Sequence, residues 1–242
     1  GSPTTFDGTT KVIPLGETTM SNTGTAVKLK AAWANQLASS GTAKIISPIG
    51  NATHSTSLVK VGSSSMYFDG SGDTLSIPHS TSLSAPSGDF TIEFWFRKDN
   101  SSQAGIMSTG NTTTAGQLGW SFLVLSDGRI YFGMRPNGSY QTIQTPANIV
   151  VANTWYHMAV VRSGNDFTMY INGVSVGTGT HAGALDDYNT SLLIGNESNG
   201  IEPYAGYVDE VRISDTARYT ANFTPSTTAF TSDANTVLLI HS

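Results

Sequence analysis

The 242-residue sequence has no cysteine. Disulfides, thiolate nucleophiles and cysteine-ligated zinc sites are therefore excluded, and the fold depends on packing and hydrogen bonds, with or without a metal ion. The sequence also has no apolar run close to the roughly 20 residues that a membrane-spanning helix needs. We therefore expect no insertion into a membrane.

Charged residues are scarce, at 12% of the chain against roughly 25% in average globular proteins. The net charge is -5, and the 12 lysines and arginines are scattered along the chain. A surface that follows nucleic-acid phosphates needs clustered basic residues, so we expect no nucleic-acid partner. Because 38% of the residues are hydrophobic, the chain can build one large folded domain.

Residues 1–45 differ in pattern from the rest of the chain. A short helix over residues 26–40 is predicted by an apolar residue at every fourth position, namely Leu29, Trp33 and Leu37. We expect this lead-in segment to pack on the following domain, because short helices need docking to be stable. The alternative is a junction to an upstream domain or a subunit contact.

From residue 46 onward the sequence consists of strand and turn patterns. Between Asp89 and Lys98 every second residue is apolar, which predicts a strand whose core face carries Phe90, Ile92, Phe94 and Phe96. Turn sequences such as Asn172-Gly173 join shorter strands into hairpins. Many short strands without a helical pattern between them predict an all-β domain over residues 46–242, a two-sheet antiparallel sandwich.

The stretch from Gly206 to Ser214 also alternates, and its apolar face would carry Tyr207, Asp209, Val211 and Ile213. A buried carboxylate is costly unless it is paired with a cation, hydrogen-bonded or bound to a metal ion. We therefore predict that Asp209 is buried and is satisfied in one of three ways. These are a metal ion, backbone N–H groups, or an arginine such as Arg212 or Arg162.

Several short blocks stand in order along the chain: Tyr67-Phe68-Asp69-Gly70, Asp89-Phe90-Thr91-Ile92-Glu93-Phe94-Trp95, Asn153-Thr154-Trp155-Tyr156-His157, Tyr170-Ile171-Asn172-Gly173 and Gly206-Tyr207-Val208-Asp209-Glu210-Val211-Arg212-Ile213. In this order and at these spacings they resemble the laminin-G-like branch of the concanavalin A-like lectin/glucanase superfamily. The resemblance implies a jelly-roll sandwich of two antiparallel sheets that binds glycans or protein partners.

The end of the chain carries a second resemblance, through Ala217-Arg218-Tyr219-Thr220 and Asn222-Phe223-Thr224-Pro225. It is similar to variants of the domain that are common in phage virion proteins and large bacterial surface proteins. This similarity implies an extracellular or virion location, in a phage tail fibre or a bacterial adhesin. A homo-oligomer and a larger multi-domain chain are both compatible with it.

The resemblance also implies a structural calcium ion. In this superfamily an acid on the strand that matches Gly206 to Ser214 commonly holds the ion together with oxygens near the first strand. In this sequence those residues are Asp209, Asp69, Gly70 and Asp73. Calcium takes six to eight oxygen ligands from carboxylates, carbonyls and water. The alternative that Asp209 bonds only protein groups stays open.

Carbohydrate recognition needs an aromatic platform for a sugar face and planar amide or carboxylate groups for the hydroxyls. The least patterned stretches supply the candidates, with a cluster in a Gly-containing loop: Trp120, Tyr140, Tyr188, Asn196, Glu197, Asn199, Glu202 and Tyr204. A rival patch combines Trp95 with Glu93 and Arg97 on one strand face. Each of these aromatic residues taken alone is also typical of core packing.

The sequence carries no recognisable catalytic pattern. Concanavalin-like glucanases present Glu-x-Asp-x-x-Glu on one strand, and this chain has no such run. Its adjacent acids, Asp209 and Glu210, would face opposite sides of their strand. The five histidines show no metal-ligand spacing, and His157 lies on a largely apolar strand face, which predicts a core histidine bonded to backbone.

These patterns predict a non-enzymatic, lectin-like recognition module whose partner is a glycan or a cell-surface polysaccharide. One alternative is a structural or oligomerisation module that binds no small ligand. The other is a polysaccharide-cleaving enzyme, which would need two carboxylates facing one cleft.

Overall fold

The computed structural model describes residues 45–84, 86–111, 117–197 and 202–242. The helix predicted over residues 26–40 and the candidate residue Asn199 lie outside these ranges, so the predicted boundary at residue 45 stays a prediction. Within the described residues, α1 (Thr81–Ser84) is a single turn, and no helix there is long and apolar enough to cross a membrane.

The described strands form two antiparallel sheets that pack into a sandwich, so the predicted all-β fold is confirmed. The seven-stranded sheet contains, in spatial order, β1 (Ser47–Ile49), β4 (Thr74–Ile77), β13 (Leu192–Ile194), β6 (Ala104–Asn111), β7 (Gln117–Val124), β8 (Ile130–Met134) and β9 (Gln141–Gln144). β7 and β8 are joined by a tight turn, whereas β13 enters between β4 and β6 from far along the chain.

The eight-stranded sheet contains β12 (Val174–Thr180), β11 (Asp166–Ile171), β10 (Tyr156–Ser163), β5 (Phe90–Lys98), β16 (Ala205–Ser214), β3 (Ser65–Asp69) and β2 (Thr53–Ser55), with β17 (Thr236–Ile240) also paired to β16. A separate short hairpin is formed by β14 (Asn196–Glu197) and β15 (Glu202–Pro203). This hairpin carries three of the predicted carbohydrate-binding residues, Asn196, Glu197 and Glu202.

The core lies between the two sheets and is rich in aromatic side chains. Phe90, Ile92, Phe94 and Phe96 of β5 are all fully buried, as their alternation predicts. Phe94 meets Phe122 of the opposite sheet edge-on, with ring centroids 5.2 Å apart. Interlocked rings of this kind bury large apolar areas, which is how a chain without disulfides stabilises a sandwich.

A β-bulge in β16 changes the predicted face pattern of that strand. Val208 pairs with Phe96 and Asp209 with Trp95, but Arg212 is the next residue that pairs, with Glu93. Glu210 has a positive φ of 52°, so one extra residue is accommodated there. The prediction that Tyr207, Asp209, Val211 and Ile213 share one face is therefore wrong. Val211 and Ile213 face the core, whereas Tyr207 and Asp209 face the outer side.

The outer side of the eight-stranded sheet has a second layer, formed by the segment after β16. The Tyr219 and Phe223 rings stack in parallel with centroids 3.5 Å apart and pack against Ala159, Val161 and Tyr170. This layer also buries Glu93, His157 and most of Arg212. The polar face of β5 is thus a second, smaller interior.

His157 lies in this second layer and differs from its prediction. Its ring is fully buried, but neither ring nitrogen is hydrogen-bonded to backbone; Nε2 lies 3.3 Å from the Glu93 carboxylate. The ring also packs edge-on against Trp95. His157 is therefore buried, but its polar contact is with a carboxylate.

Candidate functional site

The outer face of the seven-stranded sheet is built on small residues at its centre. Ser108, Ser121 and Gly133 stand side by side on β6, β7 and β8. A methyl group on Gly133 would lie 2.8 Å from the Tyr140 phenol oxygen, so the Tyr140 side chain crosses the sheet at that point. Gly105 makes the same room for the backbone of Glu197. Small residues thus let larger side chains lie flat over the sheet.

Three tyrosines surround this face. Tyr140 is 53% exposed, and the Arg135 guanidinium lies 6.0 Å from its ring centroid. Burial raises the pKa of the Tyr140 phenol, and the nearby Glu197 and Tyr131 raise it further. Burial and then Asp186 raise the pKa of the Tyr188 phenol, and the nearby Arg135 lowers it. Tyr140 and Tyr188 are therefore grouped around one arginine.

Hydrogen bonds hold this group in place. The Tyr188 hydroxyl donates to Asp186 at 2.8 Å, and the same carboxylate accepts the Gly138 N–H at 2.9 and 3.1 Å. Arg135 donates from Nη1 to the Gly138 carbonyl at 2.7 Å. A platform whose side chains are fixed before binding loses less conformational entropy when a ligand arrives.

Glu197 is the titratable group of this face with the largest shift. Burial raises its pKa to about 7, the opposing Glu202 carboxylate adds to the shift, and the Ser121 hydroxyl works against it. Glu197 and Glu202 stand directly opposite each other in the β14–β15 hairpin. Near neutral pH the Glu197 carboxyl is therefore partly protonated, so it can donate as well as accept hydrogen bonds.

Three buried polar atoms of this region have no hydrogen-bond partner among the described residues: Arg135 Nε, Asn196 Oδ1 and Glu202 Oε2. Buried polar atoms are nearly always satisfied, by protein groups, ordered water or a ligand. Their grouping under one face indicates hydrogen-bonding capacity that the fold itself does not use.

The structure brings together five of the predicted carbohydrate-binding residues. Tyr140 and Tyr188 lie on the described face, and Asn196, Glu197 and Glu202 lie in the hairpin above it. Asn196 is almost fully buried, and its backbone carbonyl accepts a hydrogen bond from the Ser108 hydroxyl at 3.4 Å. This hydrogen bond connects the hairpin to β6 of the sheet.

The predictions for Trp120 and Tyr204 are wrong. Both side chains are fully buried; Trp120 Nε1–H donates to the Leu83 carbonyl at 3.0 Å, and the Tyr204 hydroxyl donates to the Tyr207 carbonyl at 3.2 Å. A ring with no exposed surface offers no platform for a sugar. Each has its polar atom satisfied inside the protein, as buried Trp and Tyr require.

The rival patch is also not an open surface. Glu93 is fully buried, Trp95 is 5% exposed, and the Lys60 ammonium covers the Trp95 ring at 4.0 Å. Only Arg97 is partly exposed. The layer contributed by the segment after β16 covers this strand face, which a local pattern cannot show.

Sequence reasoning missed Arg135, Tyr131 and Asp186. A usable signal exists on β8, where Ile130, Phe132 and Met134 are buried core residues. The alternate positions are therefore on the outer face, and they carry Tyr131, Gly133 and Arg135.

The predicted calcium ligands do not fit one ion. Asp69 pairs with Ala205, and Asp209 lies four residues further along β16, about 13 Å away at the usual rise of a strand. Asp209 Oδ2 instead accepts the backbone N–H groups of Val61 at 3.0 Å and Lys60 at 3.3 Å. Of the three ways predicted for Asp209, the structure shows the second.

Asp69, Gly70 and Asp73 do lie together, in the turn between β3 and β4. Asp73 accepts the N–H groups of Asn51 at 2.7 Å and Asp69 at 2.9 Å, so its carboxylate is engaged within the turn. Among the described residues, no group of three or more His, Asp or Glu side chains is placed to hold a metal. A stabilising calcium ion stays a prediction, without Asp209 among its ligands.

We expect Gly105→Ala to displace the β14–β15 hairpin, because the added methyl group would overlap the backbone of Glu197. The displacement should bring the pKa of Glu197 from about 7 back toward its ordinary value, since the carboxyl gains solvent. Carboxyl NMR titration measures this. Gly88→Ala is the matched control, because its methyl group meets nothing within 4 Å. An unchanged Glu197 titration in Gly105→Ala would contradict the expected displacement.

The comparisons with known proteins agree with this architecture. The family model described as the concanavalin A-like lectin/glucanases superfamily matches residues 69–222. No curated protein sequence matches the chain significantly. Domain 4 of a GH43 extracellular arabinanase from Geobacillus stearothermophilus, solved with arabinotriose, is 18% identical, with a TM-score of 0.53 over 69% of this chain and 77% of that one.

A second similar structure is the ligand-binding domain of botulinum neurotoxin serotype D in complex with N-acetylneuraminic acid. It is 15% identical, with a TM-score of 0.56 over 74% of this chain and 44% of that one, so this chain spans less than half of the neurotoxin chain. At this identity the likeness shows the fold. With two antiparallel sheets and a family match over most of the sandwich, the chain belongs to the laminin-G-like branch of the concanavalin A-like lectin/glucanase superfamily.

Proposed function

We propose that this domain is a non-enzymatic recognition module that binds carbohydrate on the outer face of the seven-stranded sheet. The observation that carries the proposal is the exposed Tyr140 ring, held beside Arg135 and Tyr188 and next to the Glu197 carboxyl. An aromatic face stacks on the C–H groups of a sugar, and the guanidinium and carboxyl groups bond its hydroxyls.

Structures of the same fold support the ligand class. The arabinanase domain was solved with arabinotriose, and the neurotoxin domain with N-acetylneuraminic acid. These two sugars differ in charge and size, so they support carbohydrate in general and leave the particular glycan to experiment. A glycan or cell-surface polysaccharide is accordingly the proposed partner.

The proposed setting is an extracellular or virion protein, such as a phage tail fibre or a bacterial adhesin. It is supported by the resemblance of residues 217–241 to such proteins. In the structure this segment packs on the outer side of the eight-stranded sheet and returns as β17. It therefore leaves the Tyr140 face on the opposite sheet uncovered.

One observation favours a second candidate function, hydrolysis of a polysaccharide. Glu197 and Glu202 stand opposite each other in the hairpin, where paired Cβ atoms lie about 5 Å apart, and a retaining glycosidase needs a similar carboxyl separation. However, Glu202 accepts a hydrogen bond from Gln103. Glu202 also lies near Lys98: burial lowers the pKa of Lys98 to about 8, and the Glu202 charge works against this lowering. We infer that Glu202 anchors the hairpin. Release of reducing ends that Glu197→Gln abolishes would favour hydrolysis instead.

We expect Tyr140→Ala to weaken glycan binding about tenfold or more, because an aromatic stacking contact contributes roughly 0.5–1.5 kcal/mol beyond its buried area. A glycan array followed by calorimetry with the best glycan measures the loss. Tyr140→Phe keeps the ring and should retain most of the affinity. Val174→Ala, at an equally exposed position on β12, is the surface control. Equal affinity of Tyr140→Ala and the unmodified protein would contradict the proposed site.

A further inference from the structure

A row of aromatic side chains crosses the other sheet, on its outer side. Tyr207 of β16 pairs with Tyr67 of β3 on one flank and with Arg97 of β5 on the other. Trp155 directly precedes Tyr156, which pairs with Phe96, so Trp155 comes next to Arg97. Three neighbouring strands and the residue that precedes β10 therefore contribute one residue each to a single line.

The rings of this row contact one another. Tyr67 and Tyr207 have centroids 4.8 Å apart at an interplanar angle of 41°, and Trp155 lies 6.3 Å from Tyr207. The Arg97 guanidinium lies 5.5 Å from the Tyr207 ring. Tyr207 is 9% exposed and forms the base, whereas Tyr67 and Trp155 are partly exposed on its two sides. The second layer that covers Trp95 and Glu93 does not bury this row.

Polar groups that can bond hydroxyls border the row. Arg97 is held between the Asp99 carboxylate and the Asn153 amide oxygen, the latter at 2.7 Å from Nη2. Asn153 adopts a left-handed backbone with φ of 62°, and its N–H donates to the Lys98 carbonyl at 2.6 Å, so its exposed side chain is fixed in position. The Arg97 guanidinium, the Asp99 carboxylate and the Asn153 amide therefore form one bonded group beside the aromatic rings.

The electrostatic surroundings of the row are acidic. After burial and Tyr207, three carboxylates raise the pKa of Tyr67, namely Asp99, Asp69 and Asp73. Arg97 is the cation within the row, and Asp99 already neutralises it. Anionic sugars are therefore disfavoured, because the paired Arg97 offers them no free positive charge and the Asp69 carboxylate would repel theirs.

We propose that the row formed by Tyr67, Tyr207, Arg97 and Trp155 is a second carbohydrate-binding surface, which takes an uncharged oligosaccharide. The Tyr67 and Trp155 ring centroids lie 4.8 Å and 6.3 Å from that of Tyr207, so the end rings are no more than about 11 Å apart, a length that a short oligosaccharide covers. The two partly exposed rings receive sugar faces at the ends of the row, and Asn153 and Arg97 bond hydroxyls along its edge. The proposal rests on carbohydrate recognition as the function of the domain, and it does not depend on the Tyr140 face.

The test is an array of neutral and sialylated oligosaccharides, followed by calorimetric titration of every variant with the best neutral glycan and by tryptophan fluorescence titration of the variants that keep Trp155. Trp95 and Trp120 are buried, so Trp155 reports on this surface in a Trp33→Phe background. We expect Tyr67→Ala and Trp155→Ala each to weaken neutral-glycan binding at least tenfold. Trp155→Phe should retain most of the affinity, and Tyr140→Ala should leave a binding event that perturbs Trp155 fluorescence.

Further measurements distinguish a variant that does not fold from one that folds but binds the glycan less tightly. Thermal melts identify variants that do not fold. Asn153→Gly removes the side-chain amide but keeps the left-handed backbone. If Trp155→Ala does not fold, weaker glycan binding by Asn153→Gly would support the site. Neutral-glycan binding that Tyr140→Ala removes and that no variant of the row affects would overturn this proposal but leave the proposed function intact. No neutral-glycan binding by the unmodified protein would also overturn it.

Discussion

Arg212→Met lowers the free energy of unfolding by about 3–5 kcal/mol at pH 7, the range measured when one partner of a buried ion pair is removed. Glu93 is fully buried and accepts hydrogen bonds from Arg212 Nε at 2.8 Å and from the Tyr219 hydroxyl at 2.8 Å. Arg212 Nη2 adds a contact of 2.6 Å. Without Arg212 the buried carboxylate either stays charged without a cation or takes up a proton at pH 7, and both outcomes cost free energy.

Urea unfolding measures this change, and two further variants give it meaning. Arg129→Met breaks an exposed pair with Asp127 and should leave the urea midpoint unchanged. Glu93→Gln combined with Arg212→Met should be more stable than Arg212→Met alone, since the uncompensated charge is gone. Equal midpoints for Arg212→Met and the unmodified protein would show that the buried pair has no net stabilising effect.

The Glu93 pair also predicts a response to acid. Burial by itself would raise the pKa of Glu93, but the hydrogen bond with His157 and the charge of Arg212 overcome this and lower it. A lowered pKa means that the stabilisation is present above the unfolded value of 4.5 and is lost as the pH falls through the folded value. The difference in stability between the protein and Arg212→Met should therefore shrink in acid.

Asp209→Asn is expected to raise the stability of the protein by up to roughly 3 kcal/mol above pH 6 and to leave it nearly unchanged at pH 4. Burial raises the pKa of Asp209 to about 6, the Glu210 charge adds to this, and the N–H donors Val61 and Lys60 oppose it. Between about pH 4 and 6 the folded state therefore binds a proton that the unfolded state has lost. Stability contributed by this group decreases as the pH rises through that range.

The asparagine at this position carries no charge at any pH and keeps an oxygen for the Val61 and Lys60 N–H groups. The unfolding free energies of both proteins are measured from pH 4 to 8. Glu197 also has a raised pKa and so also lowers the stability as the pH rises, but it is present in both proteins. The difference between the two curves therefore reports on Asp209. Asp127→Asn, in an exposed turn, is the matched control. Parallel stability curves for Asp209→Asn and the unmodified protein would contradict the assigned pKa.

Much of the fold could be predicted because it depends on local alternation. The β5 pattern places Phe90, Ile92, Phe94 and Phe96 in the core, and all four are fully buried. Asn172 and Gly173 turn the chain with positive φ values of 50° and 78°, as a tight hairpin turn requires. In such places the backbone geometry follows from a few neighbouring residues.

The bulge in β16 could not be predicted in the same way. Glu210 adopts its positive φ because β5 and β3 fix the register on both flanks of the strand, and its side chain accepts the Phe230 N–H at 2.6 Å. A glutamate has no local preference for this conformation. One inserted residue reverses every side chain after it, and so Asp209 is separated from Val211.

The candidate site shows the same division. Tyr140 and Trp120 both stand in sequence as aromatic residues of weakly patterned stretches, but one is 53% exposed and the other is fully buried. Burial depends on which chain segment covers a ring, and for Trp120 that includes Leu83 of α1, far away in sequence. The Tyr67, Tyr207 and Trp155 row likewise arises only when β3, β16, β5 and β10 lie side by side.

The sequence by itself therefore determined the all-β class, the core face of β5, the turns and the family, since each depends on the identity and spacing of neighbouring residues. The tertiary structure alone decided which aromatic rings reach solvent, which groups donate hydrogen bonds to Asp209, and that Glu197 and Glu202 lie opposite each other. Those properties depend on contacts between residues up to 149 positions apart, such as Lys60 with Asp209, and contacts at that range are set by strand register and layer packing.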